Sequence, residues 1–68
     1  MANGKVKWFD AAKGYGFIQP DDGSQDVFVH VSAVEHAGLV SLPNGAKVSY
    51  DLMFGRNGAR AAEHLRIE

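Results

Sequence analysis

Two short aromatic segments, at residues 13–18 and 27–31, constrain the fold of this chain more than any other feature. In each segment, β-branched and aromatic side chains dominate and the two kinds alternate, which is typical of a β-strand. Because successive side chains of a strand point to opposite faces, one face is aliphatic and the other carries rings with polar tips. The aliphatic set is Gly16, Ile18, Val27, Val29 and Val31, and the aromatic set is Tyr15, Phe17, Asp26, Phe28 and His30.

The small size of the chain allows only one of these two faces to enter the core. A chain of 68 residues suits a single domain, residues 1–68, and such a chain buries only about 60% of its unfolded surface. Aliphatic side chains are numerous enough to fill a small core, and the aromatic rings would overfill it. We therefore expect the rings to face outward around a core of Val6, Ile18, Val27, Val29, Val34, Leu42, Val48, Leu52 and Ile67.

Turn residues divide the first part of the chain into three strands. Residues 5–10 predict a first strand, and the adjacent Trp8 and Phe9 indicate a bulge or an exposed ring there, because two neighbours cannot both point inward. A cluster of turn-forming residues at 20–25 predicts a hairpin between strands two and three. Ser32, followed three residues later by Glu35, matches a capping box and predicts a single helical turn after strand three.

Two more strands follow. Residues 47–54 alternate as a half-buried antiparallel strand. Residues 59–67 predict a weaker fifth strand, in which Ala61, Leu65 and Ile67 point inward; the preceding turn and the short remaining length favour it over a helix. Five short strands must close on themselves to protect their edges. We therefore expect an all-β fold, a five-stranded antiparallel Greek-key barrel of the OB-fold type.

Composition excludes several classes of function. Because the chain has no cysteine, it has no disulfide framework and no thiolate metal site. Its three histidines lack metal-ligand spacing, and no serine or threonine stands in a recognisable nucleophile context. No apolar run approaches the ~18 residues of a membrane span. We therefore expect a cytoplasmic, monomeric protein that is not an enzyme. We also expect that it binds no cofactor, metal ion or small-molecule substrate and does not associate with a membrane.

The charge pattern is compatible with a polyanion only if something besides charge contributes to binding. The net charge is −1, so no global basic field is present. Lys5, Lys7 and Lys13 nevertheless outnumber the single acid, Asp10, in the first thirteen residues. Aromatic rings edged by lysines form a stacking platform for unpaired bases, and each stack is worth about 1–3 kcal/mol largely regardless of sequence. The sequence therefore predicts a surface that binds single-stranded nucleic acid.

Three segments resemble the bacterial cold-shock proteins. They are residues 4–9 (GKVKWF), 13–18 (KGYGFI) and 26–30 (DVFVH), and the last two are similar to that family's two ribonucleoprotein motifs. The resemblance extends over essentially the whole chain. It implies an OB-type barrel that binds single-stranded RNA and DNA and acts as an RNA chaperone or a transcription antiterminator.

The resemblance also implies a role for particular residues. The side chains that would stack on bases are Trp8, Phe17, Phe28 and His30, with Phe9 and Tyr15 supporting the platform. Lysines would face the phosphates at Lys7 and Lys13, and Asp26 would form a hydrogen bond with a base edge. Arg56, in the hairpin between the last two strands, would add a further contact.

Three positions depart from the family pattern. Val31 and Leu39 stand where phenylalanine is common, and Asp10 replaces a usual asparagine. The first two departures shrink the stacking surface and the third adds negative charge beside it. We therefore expect weaker binding or the loss of one nucleotide subsite.

Two other classes of function compete with single-strand binding. The aromatic face would also serve a protein-interaction module as a docking site for a partner. A sequence-specific regulator of duplex DNA is a third possibility, but the chain lacks a basic helix to enter the major groove. Quenching of Trp8 fluorescence by a short oligonucleotide distinguishes single-strand binding from a protein-interaction module.

Overall fold

The computed structural model describes residues 1–55 and 58–68, and within them the chain forms a closed five-stranded barrel with one short helix. The elements in chain order are β1 (Ala2–Asp10), β2 (Tyr15–Pro20), β3 (Val27–His30), α1 (Val31–His36), β4 (Lys47–Phe54) and β5 (Arg60–Ile67). Around the barrel the strands follow the order β1-β2-β3-β5-β4. The predicted all-β five-stranded barrel is confirmed, and residues 60–67 form a strand rather than a helix.

One strand pairing departs from the predicted antiparallel arrangement. β3 and β5 run parallel, paired at Phe28 and Ala61, whereas the other four pairings are antiparallel. A closed ring with an odd number of strands cannot alternate direction at every step, so at least one parallel pairing is unavoidable. β1 is also longer than predicted, because its first residues pair with β4, from Ala2 opposite Tyr50 to Lys5 opposite Lys47.

The core is mainly aliphatic, as the sequence predicts, with Tyr50 as its one fully buried ring among the described residues. Val6, Ile18, Val27 and Val29 are at most 1% exposed, and full burial of such a side chain contributes about 1.5–3 kcal/mol to stability. The other buried hydrophobic residues are Ala33, Val34, Leu42, Val48, Tyr50, Ala62 and Leu65, while Leu52 is half-buried against them. Burial raises the pKa of the Tyr50 phenol above its ordinary value. The two aromatic segments therefore turn their aliphatic face inward.

The prediction for the inward residues of β5 is partly wrong. Ala62 rather than Ala61 is buried, because a bulge changes the alternation between Ala62 and Leu65. At this bulge His64 has a positive φ of 53°, a left-handed conformation that is uncommon outside glycine. Ile67, also predicted to point inward, is 43% exposed at the end of β5.

The start of α1 also differs from the prediction. His30, rather than Ser32, is the N-cap, and its ring Nδ1 accepts a hydrogen bond from the Ser32 backbone N–H at 3.1 Å. Ala33 and Val34 are buried in the core, so α1 packs against the barrel. The capping-box interpretation therefore placed a helical turn correctly but assigned its cap two residues too late. Within the described ranges, no helix has both the length and the apolar character needed to span a membrane.

Candidate nucleic-acid interface

A bulge in β1 brings Trp8 to the outer face of the barrel. Val6 pairs with Ile18 and Trp8 with Phe17, so Lys7 is an extra residue that no position of β2 opposes. An extra residue changes the alternation of side chains. Lys7 and Trp8 therefore both lie on the outer side, whereas Phe9 returns to the inner side. The predicted irregularity at the two adjacent aromatics is confirmed.

Phe9 packs beneath the outer face rather than on it. It is partly buried against the core and lies opposite Gly16 in the pairing of β1 with β2. A Cβ atom at residue 16 would lie 2.7 Å from the Phe9 Cα and 2.8 Å from its ring, closer than real Cβ atoms come. Gly16 is therefore the residue that allows Phe9 to lie against β2.

Four aromatic side chains lie together on the outer face of β1, β2 and β3; we call Trp8, Tyr15, Phe17 and Phe28 the aromatic platform. The ring centroid of Trp8 lies 5.4 Å from that of Tyr15 and 5.4 Å from that of Phe17, and both contacts are edge-to-face. Tyr15 and Phe28 stack at 5.9 Å with only 20° between their planes. All four are half-buried, so they hold one another in place while each leaves surface exposed.

His30 extends the platform along β3. Its ring centroid lies 6.4 Å from that of Phe28, and the planes differ by 34°. The hydrogen bond from the Ser32 N–H requires Nδ1 to be an acceptor, so the neutral ring carries its proton on Nε2. Ser32 therefore fixes the orientation of the His30 ring. Sequence reasoning missed this role, because Ser32 was interpreted as the cap itself.

Lys7 and Asp26 form an ion pair at the edge of the platform. Lys7 Nζ lies 2.9 Å from Asp26 Oδ2, and the side chains are 54% and 35% exposed. An exposed pair of this kind contributes at most about 1 kcal/mol, so either partner is readily available to a ligand. The structure thus brings together two residues to which the family resemblance assigned different contacts, with a phosphate and with a base edge.

Asp10 organises the turn that carries Lys13. Its Oδ1 accepts hydrogen bonds from the backbone N–H groups of Ala12 at 2.9 Å and Lys13 at 3.1 Å. Gly14 completes the turn with a positive φ of 84°, a conformation that glycine adopts at no steric cost. The side-chain oxygen of an asparagine would serve the turn equally well. Lys13 itself is exposed beside the start of β2.

The remaining candidate positions do not add rings to the platform. Val31 is half-buried at the start of α1, where its N–H donates to the Gly14 carbonyl at 2.9 Å. Leu39 is partly buried against the core. The predicted contact of Arg56 falls outside the described residues.

Comparison with known proteins places these features in a family. Residues 2–66 match the family model described as the 'Cold-shock' DNA-binding domain. The chain is 61% identical over 67 residues to the probable cold shock protein y4cH of Sinorhizobium fredii, with 97% of each chain covered. It is 57% identical over 67 residues, with the same coverage, to cold shock protein CspA of Rhizobium meliloti. It is 49% identical over 64 residues to cold shock-like protein CspE of Escherichia coli, covering 94% of this chain and 93% of that one.

Proposed function

Because the chain belongs to the cold-shock family of nucleic-acid-binding, non-enzymatic proteins, we propose that it binds single-stranded RNA and DNA in the cytoplasm as a monomer. Bases stack on the aromatic platform and on His30, while Lys7 and Lys13 meet the phosphates. Asp26 forms a hydrogen bond with a base edge, and Arg56 adds a further polar contact. Through such binding we expect the protein to act as an RNA chaperone or a transcription antiterminator.

The observation that carries this proposal is the mutual contact of four rings on one outer face. Neighbouring rings lie 5.4–6.2 Å apart between centroids, so they form one continuous surface rather than isolated side chains. At about 1–3 kcal/mol for each stacked base, three or four stacks supply a useful affinity without a strongly basic protein. This explains how a chain of net charge −1 binds a polyanion.

The same geometry favours unpaired strands over duplexes. A double helix hides the base faces, so a stacking surface has nothing to contact until the strand is open. α1, the single helix within residues 1–55 and 58–68, has six residues, no lysine or arginine, and two side chains buried in the barrel. A regulator of duplex DNA presents a recognition helix to the major groove, and α1 is unsuited to that task.

A role in RNA remodelling follows from mass action. A protein that binds only the open form of a hairpin shifts the folding equilibrium of that hairpin toward the open form. We expect the protein to increase the fluorescence of an RNA hairpin whose stem ends carry a fluorophore and a quencher. The Phe28→Ala variant should need at least about ten times the concentration for the same increase. If the protein binds the hairpin without raising its fluorescence, it is not a chaperone of this kind.

The lysine contacts have a separate signature in the dependence of binding on salt. Each phosphate neutralised on a single strand contributes about 0.7 to the slope of log affinity against log salt. Lys7→Gln should therefore reduce the slope for a heptathymidylate by about 0.7, as measured by Trp8 fluorescence at several salt concentrations. Arg66→Gln, which removes an exposed cation at the far end of β5, should leave the slope unchanged. An unaltered slope for Lys7→Gln would mean that Lys7 stays paired with Asp26 in the complex.

A protein-interaction module is the competing function for the aromatic platform. Both functions explain exposed rings, since a large exposed apolar patch marks a binding surface of either kind. The two lysines at the platform edge favour a polyanion, because a docking site for an apolar partner has no need of them. A short oligonucleotide that leaves Trp8 fluorescence unchanged would favour the interaction module.

A further inference from the structure

The outer surface that carries the aromatic platform continues past Phe28 onto the other two strands. Cross-strand pairing links one residue of every strand in a single row: Trp8 pairs with Phe17, and Phe17 with Phe28. Phe28 in turn pairs with Ala61, and Ala61 with Met53. Paired residues of neighbouring strands point to the same face of the sheet. We call these five residues the outer row.

Burial confirms that the far end of the outer row faces outward. Met53 is 49% exposed and Ala61 is half-buried. Their chain neighbours point the other way, since Leu52 packs against the core and Ala62 is 1% exposed. The thioether of Met53 is therefore an apolar group at the surface, in line with the platform and on the side of Phe28 opposite Trp8.

The spacing of the far end suits a planar base. Neighbouring strands lie about 4.8 Å apart, so the backbones at Phe28 and Met53 are about 10 Å apart across β5. Only the methyl group of Ala61 stands between the two larger side chains. A base in contact with a carbon surface on each side needs about 7–8 Å between those surfaces. A base resting on Ala61 would thus meet the Phe28 ring on one side and the polarisable Met53 sulfur on the other.

Charged groups near the far end limit where phosphates can run. Asp51 of β4 pairs with Glu63 of β5. Each lies two residues along its strand from Met53 or Ala61, and therefore on the same outer face. His64 Nδ1 lies 3.0 Å from Asp51 Oδ2 and offsets part of that negative charge only when protonated. Phosphates would be repelled from this side. A strand crossing Ala61 would therefore keep its phosphates on the side of the β4–β5 connection.

We propose that Ala61 and Met53 form an additional base-binding position for the same single strand that the aromatic platform binds. This inference rests on the proposed function and extends it, because the outer row is one continuous surface. At Phe28 a bound strand has two ways to continue, along β3 to His30 or across β5 to Met53. The position at Met53 is used by strands long enough to cover the whole outer row.

The test compares oligothymidylates of four to ten nucleotides by titration of Trp8 fluorescence. Met53→Thr removes the thioether and keeps a residue suited to a strand. We expect it to bind the shortest oligomers as the parent does and the longest about threefold more weakly. Ile67→Thr is the matched control, since Ile67 is 43% exposed against 49% for Met53. Ile67 ends β5, whereas Ala61, the partner of Met53, lies near the start of that strand. The control should match the parent at every length.

Two results would overturn the additional position, and they are distinguishable. If Met53→Thr and the parent bind every oligomer equally while the parent does bind, the strand turns at Phe28 toward His30 and the extension is wrong. If the parent binds no oligomer, the proposed function fails together with the extension. Met53→Phe offers a gain in the same assay, because a larger flat surface should strengthen binding of the longest oligomers alone, and Trp8 stays the single tryptophan of the chain.

Discussion

Replacing Phe28 by alanine should reduce the affinity for a heptathymidylate by about tenfold to a hundredfold. Phe28 stacks with Tyr15 at 5.9 Å and contacts Phe17 edge-on at 6.0 Å, so its ring lies between two other rings of the aromatic platform. Its removal deletes one stacking surface and leaves Tyr15 without its stacked neighbour. Trp8 remains in place, so its fluorescence still reports binding.

Phe54→Ala is the matched control for this variant. Phe54 is 68% exposed and ends β4, but it pairs with Arg60 and is not part of the outer row. Its truncation removes a phenyl ring that is more exposed than that of Phe28, yet it should leave the affinity within about twofold of the parent. Equal losses in the two variants would show that exposed aromatic area in general, rather than the platform, determines binding. Thermal denaturation of both variants excludes unfolding as the cause.

The second large effect concerns stability. Ile18→Ala should lower the free energy of unfolding by about 2–5 kcal/mol, because Ile18 is fully buried at the centre of β2. A domain of this length has only about 3–10 kcal/mol in total, so the variant should lose a large part of its stability. Urea unfolding followed by Trp8 fluorescence should show a much lower midpoint with an unchanged m-value.

Ile67→Ala provides the control with the same residue type. Ile67 was predicted to lie in the core, but it is 43% exposed at the end of β5. The substitution should therefore cost less than about 1 kcal/mol, since only part of the side chain leaves water on folding. A loss as large as that of Ile18→Ala would contradict the position of Ile67 at the surface.

The parts of the fold that follow from local sequence pattern were predictable. The alternation in residues 15–18 and 27–30 determines which side chains point inward, because a strand has a fixed period of two. The turn residues between the strands then divide the chain at the correct places. The number of strands and their closure into a barrel follow from these two patterns and from the need to protect strand edges.

The features that escaped prediction depend on contacts between distant residues. The bulge at His64 shifts the inward residues of β5 and is determined by its pairing with β4, which the sequence of β5 alone does not show. The ion pair of Lys7 with Asp26 joins residues nineteen positions apart. Likewise, Met53 joins the outer row only because β5 lies between β3 and β4. A pattern along one strand contains no information about its neighbours.

The measurement that tests the central claim most directly is a titration of Trp8 fluorescence with one sequence in single-stranded and in duplex form, at two salt concentrations. Stacking on the aromatic platform predicts strong quenching by the single strand and little or none by the duplex. The affinity for the single strand should fall at the higher salt concentration but persist, since stacking supplies much of the energy. Equal or tighter binding of the duplex would contradict single-strand recognition by the platform.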